Sequence, residues 1–304
     1  MTQIDKSRFE WIGSDSARRE GISRPSTTFW KDAIGRLMKN KVAVVCFFII
    51  VLLILSCIIV PFFSPFESRE QHLGEVNKGF MTVCTDSRYE GQHHVHYFGT
   101  DNLGRDLFLR AFEGGRVSLM IAFAAVFVNL IVGLIYGGIS GYIGGAVDTI
   151  MMRIVEIVNG IPYLIVVILL MMVLPKGIFT MVVAYGITGW TGMARLVRGQ
   201  VLQLKSQEYI VAAEAMGAKS SRIIAKHLIP NALSVIIINV TLAIPSAIFT
   251  EAFLSYIGLG VPVPQPSWGV LAKGGQDVFM TYPYQLVVPA VAISLTMLSF
   301  NLLG

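Results

Sequence analysis

Charged side chains are scarce in this sequence. Asp, Glu, Lys and Arg together make up 14% of its 304 residues, whereas soluble domains carry about 25%. With 54% hydrophobic residues and a mean hydropathy of +0.65, too little polar surface remains to coat a water-soluble fold of this size. The bilayer is the expected solvent. Cysteine is also rare: Cys46, Cys57 and Cys84 are the three in the chain. They cannot form a disulfide framework, and all three are expected as free thiols. A phosphate-binding loop is missing. The nearest fragment, Gly217-Ala218-Lys219-Ser220, lacks the upstream glycine and the glycine before lysine of Gly-x-x-x-x-Gly-Lys-[Ser/Thr]. No nucleophile–His–acid set is suggested by spacing. The chain therefore reads as non-enzymatic, with no catalytic residue, no metal and no cofactor of its own.

What the sequence does have is long uncharged runs. Val42–Phe63, Val117–Ile139, Ile157–Leu174, Gly177–Ala194, Asn231–Thr250 and Val278–Gly304 contain no Asp, Glu, Lys or Arg. A spanning helix needs about 20 such residues. The expected fold is therefore all-α, with six transmembrane helices, the last beginning near Tyr284. The first run sits behind a long polar leader and lacks a small-residue cleavage site, so it is read as a retained helix rather than a signal peptide. Segment 1–41 holds nine Lys and Arg residues and segment 195–230 holds six; with Arg153, one side of the membrane carries sixteen against eight on the other. The positive-inside rule then makes both termini and the 195–230 loop cytoplasmic. The formal charge of +5 is explained by membrane topology, without nucleic acid.

The chain divides by character into a cytoplasmic segment 1–41, a transmembrane helix at 42–63, an external segment 64–114 and a five-helix core at 115–304. Residues 1–27 have the composition of a disordered leader. Phe29, Ala33, Ile34, Leu37 and Met38 recur at helical spacing among Lys31, Arg36, Lys39 and Lys41, the pattern of an interfacial helix at about 28–41. The external segment contains His72 and the cluster His93, His94 and His96. No carboxylate or thiol stands at a spacing that completes a metal site with the cluster, so it reads as a solvated loop. Gly133, Gly137 and Gly141 are spaced for close helix approach, within the chain or against a partner.

The 205–232 loop has structure of its own. Gln207–Met216 is a good helix former, with Tyr209, Ala212, Ala213 and Met216 on one face. Gly217 can close it in the left-handed conformation. Ser220 or Ser221 can cap a second helix, which Pro230 ends. Elsewhere, Thr100 or Asp101 can satisfy free N–H groups, Gly104 allows a turn, Arg105 can pair with an acid, and Asp106 can cap the following helix. In the external segment 259–283, Pro262, Pro264 and Pro266 favour a stiff extended piece, and Ser267 can cap a short re-entrant helix ahead of Trp268 and Gly269. Glu251, after about 20 uncharged residues, needs a cavity or a partner: it either lines a translocation path or braces a neighbouring helix. Arg153 and Glu156 are spaced to pair, and Pro162 and Pro245 are candidate kinks.

Ala212-Ala213-Glu214-Ala215-Met216-Gly217, followed by His227-Leu228-Ile229-Pro230-Asn231, resembles the cytoplasmic EAA loop of ABC importer permeases. Phe98–Asp106, Phe253–Gly260 and Ser267-Trp268-Gly269 resemble stretches of the peptide-importer branch. In this order the four match the C-type permease subunit of oligopeptide transporters over about residues 28–304. The resemblance implies a type I importer permease in a bacterial cytoplasmic membrane. Its partners would be a second permease subunit, two ATPase subunits that hold ATP and Mg, and an extracytoplasmic peptide-binding protein. It makes the EAA loop a coupling helix. Ala212, Ala213 and Ala215 give it low bulk, and Gly217 and Ala218 its exit. Glu208, Glu214, Lys219 and Arg222 are placed for rim contacts, with Pro230 behind. Thr100, Asp101, Gly104, Arg105, Asp106, Ser267, Trp268 and Gly269 become candidates for an external gate or docking element. Val211 stands where the motif has its acid, leaving Glu208 or Glu214 to replace it. The same resemblance leaves dipeptides or nickel as alternative cargo, and implies a short charged tail beyond Gly304. A self-sufficient secondary transporter, the distant alternative, would show inverted repeats.

Overall fold

The computed structural model describes residues 29–85 and 94–304, with the backbone alone for 29–33. The leader at 1–27, read as disordered, and His93 of the histidine cluster lie outside the described residues. The chain divides into two compact units, one ending at Lys41 and the other spanning Val42–Gly304. The first contributes the described helix α1 (Phe29–Lys39), with Arg36 and Lys39 in its last turn, where cations favour helix carbonyl ends.

The second unit is mostly helical. α2 (Lys41–Phe63) is apolar on all sides and leaves Leu52, Phe62 and Phe63 exposed, as suits a helix whose solvent is lipid. α3 (Leu107–Ile143) runs for 37 residues to Gly144, where a φ of 72° turns the chain into α4 (Gly145–Asn159). Pro162 disfavours a helical conformation at Ile161, and α4 and α5 (Tyr163–Val173) meet at 77° across this break. α6 (Ile178–Thr188) and α7 (Trp190–Lys205) are separated only by Gly189, which keeps helical angles (φ −73°, ψ −22°). Then follow α8 (Glu208–Ala215), α9 (Ser220–Ile223), a π-turn over Ile224–Leu228, and α10 (Ile229–Tyr256). α11 (Trp268–Asp277) and α12 (Tyr284–Leu303) complete the unit.

The six uncharged runs do not become six unbroken helices. By length and composition four described helices can cross a membrane: α2, α3, the continuous 220–256 helix and α12. The bent α4–α5 pair would be a fifth. Run 157–174 is cut by the Gly160–Pro162 break, and run 177–194 is shared between α6 and α7. The all-α expectation also needs an amendment. Strands β1 (Thr82–Val83) and β2 (Val95–His96) pair antiparallel between α2 and α3.

The glycines of α3 explain how the bundle closes. A Cβ on Gly133 would lie 2.5 Å from Met193 Cβ; on Gly137, 2.3 Å from the Ala194 carbonyl; on Gly141, 2.9 Å from the Arg198 carbonyl. The small-residue spacing therefore serves a contact within the chain, against α7. On the α7 side, Ala194 and Val197 have no exposed surface. A methyl at Gly137 must push backbone, and overpacking of this kind costs on the order of 1–3 kcal/mol. Gly137→Ala should lower the thermal unfolding midpoint of the full chain in detergent. Gly192→Ala, which meets open space, should leave the midpoint unchanged or raise it slightly.

Candidate functional site

The 205–232 loop is a two-faced element. Ile210 of α8, with Ile223 and Leu228 beyond it, is buried in one cluster with Val197 and Val201 of α7, and Ala213 is buried too. Tyr209, Val211, Ala212, Ala215 and Met216 face outward, Met216 at 81% exposure. Gly217 has φ 78°. Its N–H donates to the Glu214 carbonyl (2.9 Å), and the Ala218 N–H donates to the Ala213 carbonyl (3.1 Å). This paired closure needs a residue tolerant of the left-handed region, as the sequence led one to expect. The second helix differs from expectation. Lys219, not Ser220 or Ser221, is the N-cap of α9, with no side-chain cap. Pro230 does not end the helix either. It lies in the first turn of α10, behind the π-turn, which accommodates the missing proline N–H.

The loop is tied to α3 and α7 by polar contacts. Tyr142 Oη donates to Glu214 Oε1 at 3.0 Å, and Lys205 Nζ donates to the Tyr142 carbonyl at 2.5 Å. Arg198 donates twice to Asp148, at 2.6 Å for each bond, and Ser140 adds a third donor at 2.5 Å. Glu208, Lys219 and Arg222 are exposed. Arg153 and Glu156 pair at 2.8 Å, but both are exposed, so the pair contributes little.

Residues 98–106 form a knot of local hydrogen bonds. Thr100 Oγ1 accepts from the Lys78 N–H (2.9 Å) and donates to the Glu75 carbonyl. Asp101 Oδ1 accepts from the N–H groups of Leu103 (2.9 Å) and Arg105 (3.0 Å), while Oδ2 accepts from Arg105 Nε (2.7 Å). A Cβ on Gly104 (φ 74°) would sit 2.0 Å from the His72 carbonyl. Asp106 Oδ2 caps α3 by accepting from the Leu109 N–H at 2.7 Å. Arg110, which sequence reasoning overlooked, ties this knot to the proline segment. It is 1% exposed and lies 3.7 Å from Asp101 Oδ2. It also donates to the Ser68 (2.7 Å) and Pro264 (3.4 Å) carbonyls. A lone cation in the first turn of an apolar helix was the available signal.

Glu251 sits at a second junction. It is 2% exposed and accepts from Ser118 Oγ (2.6 Å) and Ser255 Oγ (2.7 Å), with the Ser267 hydroxyl as a further donor. Ser267 caps α11 by accepting from the Val270 N–H at 3.3 Å. Trp268 lies in the core. It is 1% exposed, its Nε1 donates to the Ala111 carbonyl (2.9 Å), and its backbone N–H donates to Ser118 Oγ (3.1 Å). Gly269 permits this depth, since a Cβ there would lie 2.4 Å from the Ala252 carbonyl.

The histidines also depart from the solvated-loop expectation. His96 has no exposed surface. Its Nδ1 lies 2.7 Å from Asp106 Oδ1 and its Nε2 lies 3.1 Å from Glu75 Oε2. Burial alone would lower its pKa, but the two carboxylates outweigh burial and raise it. Burial likewise acts to raise Glu75, but hydrogen bonds from Thr85, Cys84 and His96 hold its carboxyl below the usual range.

Comparison with known proteins places this geometry in a family. Residues 129–304 match the model described as binding-protein-dependent transport system inner membrane component. Residues 28–79 match the N-terminal TM domain of oligopeptide transport permease C. The oligopeptide transport system permease protein OppC of Bacillus subtilis (strain 168) is 47% identical, covering 100% of this chain and 96% of its own length. The dipeptide transport system permease protein DppC of the same strain is 46% identical over 94% of this chain and 86% of its own. OppC of Escherichia coli (strain K12) is 40% identical over 99% of this chain and 95% of its own. An inward-facing structure of the MetNI methionine ABC transporter superposes with a TM-score of 0.51 at 19% identity. It covers 63% of this chain and 93% of the transporter chain, a likeness of fold alone. The chain belongs to the binding-protein-dependent transport system inner membrane component family.

Proposed function

We propose that this chain is a transmembrane permease subunit of an ABC importer, which forms a path for oligopeptide uptake together with a sister subunit. The observation that carries the reading is the 205–232 loop. A short helix is pinned from beneath by Ile210, Ile223 and Leu228, turned at Gly217, and left with an outward face of Tyr209, Val211, Ala212, Ala215 and Met216. Such a face, rimmed by Glu208, Lys219 and Arg222, suits docking into an ATPase groove. ATP and Mg belong to two such partner ATPases, and an extracytoplasmic binding protein delivers peptide. The near-equal identity to the dipeptide permease DppC keeps dipeptides as the second cargo reading.

In this reading six spans arise from α2, α3, the bent α4–α5 pair, the nearly continuous α6–α7 pair, α10 and α12. The Lys and Arg bias puts both termini and the 205–232 loop in the cytoplasm, with α1 along the membrane interface. The knot at 98–106 and the Ser267-Trp268-Gly269 segment then form one external element, linked through Arg110 and Pro264. Glu251 serves as its brace. Three serine hydroxyls point at it, as suits an acid holding α11 between α3 and α10.

Closure of the ATPases would push on α8. The push would reach α3 through Glu214–Tyr142 and α7 through the buried Ile210 contact. With Glu214 engaged inside the chain, Glu208 takes the place of the motif acid at Val211. In vesicles with the partner subunits, Glu208→Ala should reduce ATP-driven uptake more than Glu214→Ala; the reverse order would refute this assignment. Gly217→Arg should leave membrane insertion intact yet separate ATP hydrolysis from uptake, because a side chain is strained at φ 78° and a long cation would stand at the docking face. Loss of insertion or undiminished transport would count against it. Vesicles with this chain and its sister but no ATPase should not accumulate peptide, and sustained accumulation would overturn the importer reading.

A further inference from the structure

Between α2 and α3, away from the coupling loop, three side chains with metal-binding atoms converge. An imidazole nitrogen of His72, a carboxylate oxygen of Glu75 and the sulfur of Cys84 lie within 4.8 Å of one another. All three residues are buried, at 1%, 2% and 8% exposure. Cys84 Sγ already stands 3.3 Å from Glu75 Oε2. With zinc–ligand bonds of about 2.0–2.3 Å, the edges of a tetrahedral site are about 3.3–3.8 Å long. That pair therefore has the right separation, and the remaining edges need to close by about 1.5 Å at most.

We propose that His72, Glu75 and Cys84 form a zinc-class metal site that clasps the segment between α2 and α3. The donor set is one imidazole, one carboxylate and one thiol, a combination that selects zinc over magnesium or calcium. Binding replaces the S–H bond of Cys84 with a sulfur–metal bond and releases the proton to solvent. Two anions, the Glu75 carboxylate and the Cys84 thiolate, then neutralise the divalent ion, which a buried site requires.

The surroundings are built to orient these ligands. Thr85 Oγ1 donates to Glu75 Oε1 at 2.9 Å, and the Thr85 N–H donates to the same oxygen. His96 Nε2 holds Glu75 Oε2, with His96 Nδ1 held in turn by Asp106, the cap of α3. Metal-site carboxylates are fixed in this way by outer-shell donors. The ion would join the turn at Leu73–Glu75 to the end of β1 and, through His96 and Asp106, to the start of α3. Water completes four-coordination.

The test uses tag-free full-length protein in detergent, stripped with chelator and titrated with zinc alone or with cobalt as a spectroscopic probe. A Cys46→Ser/Cys57→Ser background leaves Cys84 as the only thiol. In it we expect about one equivalent of zinc to bind, with a rise in thermal midpoint. Cobalt should give a near-ultraviolet thiolate charge-transfer band. Adding Cys84→Ser should abolish the band and weaken zinc binding at least about tenfold, and His72→Gln should weaken it similarly. Absence of the band in the folded background protein overturns the site without reliance on any ligand variant. Equal zinc affinity with and without Cys84 overturns it too.

Discussion

The close approach of α3 and α7 is the constraint on which the rest of the molecule depends. Three glycines one helical turn apart present bare backbone to Met193, Ala194 and Arg198. In a bilayer, association of helices gains little from the hydrophobic effect and depends on such contact. α3 carries the Asp106 cap and the knot at 98–106 at one end. α7 carries the 205–232 loop at the other, where Val197 and Val201 pack against Ile210 and Ile223. The two ends of the unit are thereby joined through one closely packed helix pair.

Several polar groups buried inside the unit join elements distant in sequence. Glu251 and Ser118 connect α10 to α3, Trp268 connects α11 to α3, and Arg110 connects α3 to the 64–68 and 259–264 segments. Burying such groups is costly unless they are hydrogen-bonded, so their partners fix which helices meet and in what register. Gln285 adds the start of α12 by donating to Asn77 (2.8 Å) and to the Thr100 carbonyl (3.2 Å). A movement at the 205–232 loop would thus be carried by helices whose far ends are tied together.

By itself the sequence determined the membrane class, the apolar segments, the family and the form of the short elements. Each of these rests on local chemistry. Gly217 at a left-handed position, Asp106 and Ser267 as caps, and the Arg153–Glu156 pair involve neighbours within four residues, so spacing predicts them. Tertiary structure decided what distance along the chain conceals. It cut one apolar run at Gly160–Pro162, where the backbone leaves helical angles, because hydropathy counts side chains while helix continuity depends on backbone angles. It buried Trp268 and His96, whose partners Ala111, Asp106 and Glu75 are nonadjacent in sequence. It also placed His72 and Glu75 beside Cys84, nine positions beyond Glu75, because the turn at Leu73–Glu75 brings the first two together and the Cys84 and Thr85 side chains donate to the Glu75 carboxylate.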